Sequence, residues 1–193
     1  MTMIKDEELE RLRARIGKTI EIKEPPFLTE VSRDAIRHWA WATGDRNRLY
    51  LDEDYAKSSR FGGLIMPPCM LYGFSRASIG YRGGLPGVHS MFGGSWFKFK
   101  ESARIGDVIQ PVVTFKALDE LPSRFAGRMF KQLSEITFKT TTGKEIATAE
   151  AWGMRVGRSE AKSKGKYDAL KQEPPKYTKA MLEEIARLYQ AET

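Results

Sequence analysis

From Val88 onward, apolar and polar residues alternate along the chain, and this alternation constrains the fold more than any other feature. Successive side chains of an extended strand point to opposite faces, so an alternating segment can cover a core on one side and face water on the other. Turn-forming residues such as Gly106 and Asp107 separate the segments closely enough for hairpins. The pattern predicts an antiparallel meander with strands at 88–92, 95–101, 108–118, 125–140 and 145–156.

A segment with almost no charge precedes these strands. Pro67 and Pro68 suit the start of a helix, and the helix predicted over residues 69–81 carries Arg76 as its one charged residue. A helix this apolar is expected to be buried on most of its surface. A bent antiparallel sheet that wraps around such a helix buries both surfaces, and this is the α+β hotdog fold.

Other elements are predicted nearer the ends of the chain. Residues 4–16 have the spacing of an amphipathic helix, and residues 19–23 alternate like a strand. Ser32 is a suitable N-cap for a helix over residues 33–43, which Gly44 ends. We therefore predict one hotdog domain with its N-terminal helix over residues 1–157, a basic linker over 158–177 and a C-terminal helix over 178–193.

The composition excludes several classes of protein to which the chain could belong. The chain has 193 residues, one cysteine and a formal charge of +7. One cysteine excludes a disulfide framework and zinc sites built on cysteine pairs, so no metal is expected and a cytoplasmic location is the simplest prediction. No run approaches the ~20 apolar residues of a membrane span. The charge favours an anionic partner, and nucleic acid ranks last because no nucleic-acid-binding motif accompanies it.

Two neighbouring segments carry a recognisable motif. Residues 43–56 read TGDRNRLYLDEDYA, and residues 61–71 follow as FGGLIMPPCML. This resembles the MaoC-like (R)-specific enoyl-CoA hydratase and hydroxyacyl dehydratase family, most closely its FAS1-like dehydratase branch. The resemblance extends over roughly residues 7–158. The motif positions that match are Gly44, Asp45, Asn47, Leu49, Asp52, Tyr55 and Ala56.

The sequence departs from the family motif at two positions. Arg48 stands where the motif usually has proline, and Tyr50 stands where it has histidine. In the family, the aspartate and the histidine together bind and activate the water that adds to the enoyl double bond. Tyrosine is a poor base at neutral pH because its pKa is about 10. The resemblance therefore implies a chain that can pair with a second MaoC-like subunit carrying the Asp/His pair.

The candidate catalytic residues are Asp45, Asn47, Tyr50 and His89. Asp45 is expected to orient water or substrate, or else to pair with a nearby arginine and only shape the loop. Asn47 either contacts substrate or forms an Asx turn, and Tyr50 either hydrogen-bonds a thioester or packs with a polar tip. His89 replaces the missing histidine only if the fold brings it near Asp45.

Three further residues are candidates for substrate binding. The start of the predicted buried helix, at Cys69 and Met70, could offer backbone N–H groups to a thioester oxyanion, as the same region does in the family. The alternative is a buried helix start without that role. Arg60 is a candidate for contact with the phosphates of coenzyme A.

These observations predict a hydratase or dehydratase of acyl thioesters, acting on an enoyl-CoA or a related 3-hydroxyacyl thioester. A non-catalytic acyl-binding subunit is the main alternative. A hotdog thioesterase is disfavoured because residues 69–82 contain no Asp or Glu to activate water. No cofactor is expected beyond the coenzyme A or acyl-carrier thioester that carries the substrate. The expected assembly is a homodimer or a heteromer with a second MaoC-like chain.

Overall fold

The computed structural model describes residues 4–79, 84–123, 127–157 and 176–191. The helices are α1 (Asp6–Arg13), α2 (Arg33–Thr43), α3 (Arg48–Leu51), α4 (Glu53–Ser58), a 3₁₀ helix (Pro68–Gly73) and α5 (Lys179–Ala191). The strands are β1 (Val88–Phe99), β2 (Ile109–Ser123), β3 (Gly127–Thr140) and β4 (Glu145–Gly157). Helices precede and follow one sheet, which is the α+β order predicted from the sequence.

The four strands form one antiparallel sheet in the order β1-β4-β3-β2. Strands β2, β3 and β4 are joined by hairpins, as the alternation predicts. The prediction of a simple meander was wrong for β1, which pairs with β4 and not with its neighbour in sequence, β2. The two segments predicted at 88–92 and 95–101 are one strand, because its pairing with β4 continues across an irregularity between Phe92 and Gly94.

That irregularity is a β-bulge against Trp152. A Cβ atom on Gly93 or on Gly94 would lie 2.5 Å from an atom of the Trp152 side chain. Gly94 also has a positive φ of 152°. Only glycine leaves room here for the indole, so the bulge lets β1 follow β4 past a large side chain.

The segment expected to be a long central helix is shorter and tighter than predicted. It is a 3₁₀ helix that ends at Gly73, and residues 76–79 form turns; residues 80 and 81 lie outside the described ranges. The Gly73 carbonyl accepts a hydrogen bond from the Leu28 N–H, 3.0 Å away. The Ser78 hydroxyl donates to the Ser75 carbonyl at 2.6 Å. These bonds use groups that a continuing helix would need, and serine competes with helical bonding in this way.

The inner face of the sheet supports two hydrophobic clusters. The larger one joins the 3₁₀ helix to the sheet, and its fully buried members include Met70, Leu71, Phe74, Ile136 and Phe138. The smaller one joins α1 to the sheet, through Leu9, Leu12, Phe115 and Phe130. Strand β3 contributes to both clusters because its inward-facing residues run the length of the sheet.

Both ends of the described chain differ in detail from prediction. Helix α1 covers residues 6–13 of the predicted 4–16, and the strand expected at 19–23 is an isolated bridge between Thr19 and Thr114. Helix α2 matches its prediction, with Ser32 as N-cap. Helix α5 exposes its apolar side chains, and residues 158–175 of the predicted linker lie outside the described residues. The division of the chain into a domain up to residue 157, a linker and a C-terminal helix from residue 178 stays a prediction.

None of the helices in the described ranges is long and apolar enough to cross a membrane.

Replacing Gly94 by alanine is expected to lower the free energy of unfolding by about 1–3 kcal/mol, because overpacking against Trp152 forces the strands apart. Urea denaturation measures the change. Gly106→Ala is the matched control, since Gly106 also has a positive φ, 89°, but has nothing within 4 Å of an added Cβ. The excess cost at Gly94 should shrink in a Trp152→Ala background, and an unchanged excess would contradict the steric explanation.

Candidate functional site

The site begins at the turn that ends helix α2. Gly44 adopts a left-handed φ of 69°, which turns the chain away from the helix axis. The Asp45 N–H then donates to the Ala40 carbonyl at 2.8 Å. Asp45 is thus held by the backbone of the helix before it.

The predicted polar loop after Gly44 contains two short helices. Asp45 Oδ1 accepts a hydrogen bond from the Asn47 N–H at 3.0 Å, which is an Asx turn. Asn47 Oδ1 in turn accepts from the Leu49 N–H at 3.0 Å and caps α3. Asp52 caps α4 by accepting from the Tyr55 N–H at 2.9 Å. The motif residues therefore build the local backbone as well as presenting side chains.

Arg48, at the position where the family motif has proline, braces these two short helices. Its Nε and one terminal nitrogen lie 3.0 and 2.8 Å from Asp52 Oδ2. Its guanidinium also lies over the Tyr55 ring, 4.3 Å from the ring centre. The pKa of Asp52 is lowered, first by the hydrogen bond from the Tyr55 backbone and then by Arg48. The arginine that stands in place of the motif's proline therefore holds the loop through contacts of its side chain.

Tyr50 projects inward from α3 and is buried, with 8% of its surface exposed. Its pKa is raised above the ordinary value, first by burial and then by the charge of Asp45 and by Cys69. The Asn47 side chain lowers the pKa of Tyr50. Asp45, Asn47 and Cys69 thus lie close enough to the phenol to influence its pKa. A phenol in this environment stays protonated at neutral pH and can donate a hydrogen bond, but it cannot act as a base.

Cys69 and Met70 have different surroundings, although they are adjacent in the 3₁₀ helix. Cys69 is exposed, and its Sγ accepts a hydrogen bond from Trp39 Nε1 at 3.2 Å. Met70 is fully buried, and its N–H donates to the Pro67 carbonyl at 2.9 Å. The expectation that Met70 offers a free N–H was therefore wrong. The Cys69 N–H has no acceptor among the residues that the structure describes.

His89 lies outside this group of residues. It is exposed near the start of β1 and is paired in register with Val156. Phe97, which packs on the same cluster as Tyr50, is eight residues further along β1, and this corresponds to roughly 25 Å of strand. No described histidine makes a hydrogen bond with Asp45. The catalytic role predicted for His89 has no support in the geometry of the single chain.

Arg60 lies just after α4, at the edge of the same region. It is exposed, and its guanidinium lies over the Phe61 ring, 4.8 Å from the ring centre. Phe61 packs against the cluster that contains Tyr50. Arg60 has no acidic partner among the described residues, so its charge is available to a ligand.

The fold thus brings together Asp45, Asn47, Tyr50 and Cys69, and adds Trp39, which is not among the candidates from the sequence. Trp39 and Cys69 are 30 positions apart, and no local pattern indicates their contact. Beside Trp39 an open, largely apolar groove of about 640 Å³ runs between α2 and the 3₁₀ helix, with Ala35, Tyr72 and Ile79 among its walls. Across the described ranges, no three His, Cys, Asp or Glu side chains are grouped to hold a metal ion.

Comparison with known proteins identifies this arrangement. The family described as FAS1-like, dehydratase domain region, matches residues 16–149. The chain belongs to this family. An (R)-specific enoyl-CoA hydratase from Rhodospirillum rubrum is 31% identical over 127 residues, which are 64% of this chain and 79% of that protein.

Two solved structures of known proteins are similar in fold. The unliganded R-hydratase PhaJ1 from Pseudomonas aeruginosa has a TM-score of 0.55 at 20% identity and covers 74% of this chain and 83% of its own. The ChsH1–ChsH2 complex from Mycobacterium tuberculosis has a TM-score of 0.59 at 16% identity and covers 79% of this chain and 95% of the matched chain. The fold of this FAS1-like dehydratase chain is therefore the predicted hotdog.

The Tyr50 phenol is expected to titrate above the usual value of about 10, because burial and the Asp45 charge both disfavour the phenolate. Asp45→Asn removes one of these two effects and should lower the Tyr50 pKa while leaving it raised by burial. The measurement is an alkaline titration of the tyrosine absorbance, with Tyr50→Phe subtracted to isolate this phenol. An unchanged Tyr50 pKa in Asp45→Asn would show that the two side chains do not interact.

Proposed function

We propose that Asp45 orients the water that is added to, or removed from, an acyl thioester at this site. The chain is a hydratase or dehydratase of acyl thioesters, a hydro-lyase. In the hydration direction the water oxygen bonds to C3 of the enoyl group, and C2 gains a proton. The reverse reaction breaks the same two bonds and releases water.

The hydrogen bonding of Asp45 supports this role. Its Oδ1 is occupied by the Asn47 N–H, whereas Oδ2 makes no hydrogen bond to any residue of the described ranges. A carboxylate held by one oxygen has a fixed direction for the other, and Oδ2 is free to accept a hydrogen bond from water. Asn47 is thus a positioning residue for Asp45.

Tyr50 is proposed to donate a hydrogen bond to the substrate or to the water. It cannot replace histidine as a base because its pKa is raised, not lowered. Stabilising charge on the thioester oxygen needs donors directed at that atom, and the Cys69 N–H is the remaining backbone candidate at the start of the 3₁₀ helix. The apolar groove beside Trp39 and Tyr72 is proposed to hold the acyl group.

The observation that carries the proposal is a fixed carboxylate near a protonated phenol, with no described histidine bonded to the carboxylate. An apolar groove is connected to them by Trp39, which lines it and bonds Cys69. This combination supports a chain that works as one subunit of a hotdog assembly, in which a second MaoC-like chain supplies the Asp/His pair. In that arrangement this chain binds the acyl group, which is the alternative to a role of its own Asp45 in holding the water. The ChsH1–ChsH2 neighbour is itself a complex of two different chains.

The edge of the sheet offers a surface for such a partner. Within the described residues β1 pairs with β4 on one side and with no strand on the other. Phe92, Trp96 and Phe99 on this strand are more than half exposed. An unpaired edge with large apolar side chains is a favourable surface for strand pairing with a second chain. The partner is proposed to be either a second copy or a different MaoC-like subunit.

The remaining expectations about the carrier and the compartment stay predictions. The substrate is proposed to be carried by coenzyme A or an acyl carrier protein, and the chemistry requires no other cofactor because the thioester itself acidifies C2. The cytoplasmic location follows only from the single cysteine. A thioesterase is not favoured because residues 68–79 carry no carboxylate.

Asp45→Asn is expected to lower kcat for hydration of crotonyl-CoA by about 100-fold or more, since the amide cannot accept a proton or hold water as the carboxylate does. The assay follows the loss of enoyl absorbance, with the chain alone and with a second MaoC-like subunit added. Asp34→Asn is the matched control, because Asp34 is an exposed carboxylate in the first turn of α2 that bonds Arg37. Equal activity of Asp45→Asn and Asp34→Asn would refute the role of Asp45.

Activity of the unaltered chain without a partner would assign it the complete reaction. Activity that appears only with the second subunit, and that is insensitive to Asp45→Asn, would assign it the acyl-binding role alone. Activity in neither preparation would reject the hydro-lyase proposal for crotonyl-CoA.

Arg60→Ala is expected to raise KM for crotonyl-CoA by about tenfold with little change in kcat, since a charge-assisted contact to phosphate binds ground state and transition state alike. The KM for crotonyl-pantetheine, which lacks the nucleotide phosphates, should not change. Arg11→Ala in α1 is the control for loss of one positive charge. If KM rises equally for both substrates, Arg60 does not contact the nucleotide.

A further inference from the structure

The apolar groove beside Trp39 is much larger than a short acyl group requires. Its volume is about 640 Å³. A cavity of roughly 150 Å³ in another protein holds benzene, so each carbon atom needs about 25 Å³. On that scale the four carbons of a crotonyl group fill about 100 Å³ and leave most of the groove to water. The size of the groove therefore favours a larger acyl group.

The walls of the groove suit a hydrocarbon. None of the described residues that line it is Asp, Glu, Lys or Arg. The Tyr72 hydroxyl is hydrogen-bonded to the Ser95 hydroxyl at 2.5 Å, so the ring is the part of Tyr72 that remains for a ligand. Phe27 and Ile79 line the groove with 60% and 40% of their surfaces exposed. Large apolar side chains that face water in one groove indicate a surface that binds an apolar ligand.

Phe27 is held in its exposed position by Arg76. The Arg76 guanidinium lies over the Phe27 ring, 4.4 Å from the ring centre, and Arg76 Nε donates to the Pro25 carbonyl at 2.7 Å. The next residue, Leu28, is tied to the 3₁₀ helix because its N–H donates to the Gly73 carbonyl. A wall that is fixed before the ligand arrives loses little freedom on binding, and this favours affinity.

The groove leads away from the proposed reaction site along α2. Its lining residues on this helix are Ala35, His38, Trp39 and Ala42, whose spacing of three and four places them on one face. Asp45 follows the end of the helix, so Ala42 marks the near end of the groove and Ala35 the far end. The helix rises about 10 Å between these two alanines. An extended hydrocarbon of about eight single bonds spans the same distance.

We propose that the groove selects a large apolar acyl group, of about ten carbons or more. The reacting carbons C2 and C3 lie at Asp45, and the carbons beyond C3 lie along α2 toward Ala35. This inference rests on the proposed function, because it takes the thioester to be bound with its reacting carbons at Asp45. Short acyl groups are poor ligands because they leave the apolar walls in contact with water.

The test measures the affinity of the full chain for saturated acyl-CoAs, which bind without reacting. Isothermal titration calorimetry compares butyryl-, octanoyl- and dodecanoyl-CoA at concentrations below micelle formation. A fully buried methylene group strengthens binding about fourfold, so a half-buried one contributes about twofold. Dodecanoyl-CoA has eight more methylene groups than butyryl-CoA and is therefore expected to bind about 200-fold more tightly.

Two substitutions at different depths test the direction of the acyl chain. Ala35→Phe, at the far end, should weaken dodecanoyl-CoA by about tenfold, the loss of three or four half-buried methylene groups, and should leave octanoyl-CoA unchanged. Ala42→Phe, at the near end, should weaken both by about tenfold. Butyryl-CoA should be unaffected by either substitution. Ala186→Phe is the matched control, because Ala186 is an exposed alanine of helix α5 that does not line the groove.

The outcomes separate this inference from the proposed function. Equal affinities for butyryl- and dodecanoyl-CoA, or a preference that both groove variants leave unchanged, would overturn the inference even where crotonyl-CoA is hydrated. If the variants fold, as thermal unfolding checks, but alter the oligomeric state in place of acyl affinity, the groove binds a protein chain and the inference is wrong. A preference for dodecanoyl-CoA without hydration of dodecenoyl-CoA, with a second subunit present, would support the acyl site and reject the hydro-lyase function.

Discussion

The packing of the 3₁₀ helix against β3 is the contact on which the rest of the structure depends. Met70, Leu71 and Phe74 are fully buried against a sheet face that includes Ile136 and Phe138. Each such side chain contributes about 1.5–3 kcal/mol when it leaves water, so this contact fixes the orientation of the short helix. Because Met70 points inward, the adjacent Cys69 faces outward and meets Trp39. The site is thus placed by burial of its neighbours.

Short-range hydrogen bonds then fix the side chains of the candidate site. The Asx turn at Asp45 and the cap at Asn47 keep one carboxylate oxygen occupied and leave the other open. Tyr50 is kept neutral first by its burial, which raises its pKa, and then by the charge of the same carboxylate. In the proposed function, the tyrosine at the family's histidine position donates a hydrogen bond but cannot accept a proton, because its pKa is raised. That difference is the physical reason for expecting a second subunit.

The alternation from Val88 to Val156 predicted the strands well, because period-two burial is a local property of each strand. Helix α2 was predicted with its limits for the same reason, since Ser32 and Gly44 act on adjacent backbone groups. The central helix was predicted too long because its end depends on Leu28, which is far away in sequence. The contact of Trp39 with Cys69 and the separation of His89 from Asp45 likewise follow from tertiary packing and strand pairing. Local sequence patterns indicate neither this contact nor this separation.

Gln132 and Ser134 of β3 form a buried polar pair that also has a consequence for how the molecule opens. They lie between two apolar clusters that Ile20 joins, and only the larger cluster carries Tyr50. Cooperative opening follows contiguous packing, so a polar break between two units weakens the coupling between them. We therefore expect helix α1 to detach, and its amide hydrogens to exchange with solvent, before the cluster around the 3₁₀ helix opens. Detachment of α1 is therefore expected to leave the candidate site in place.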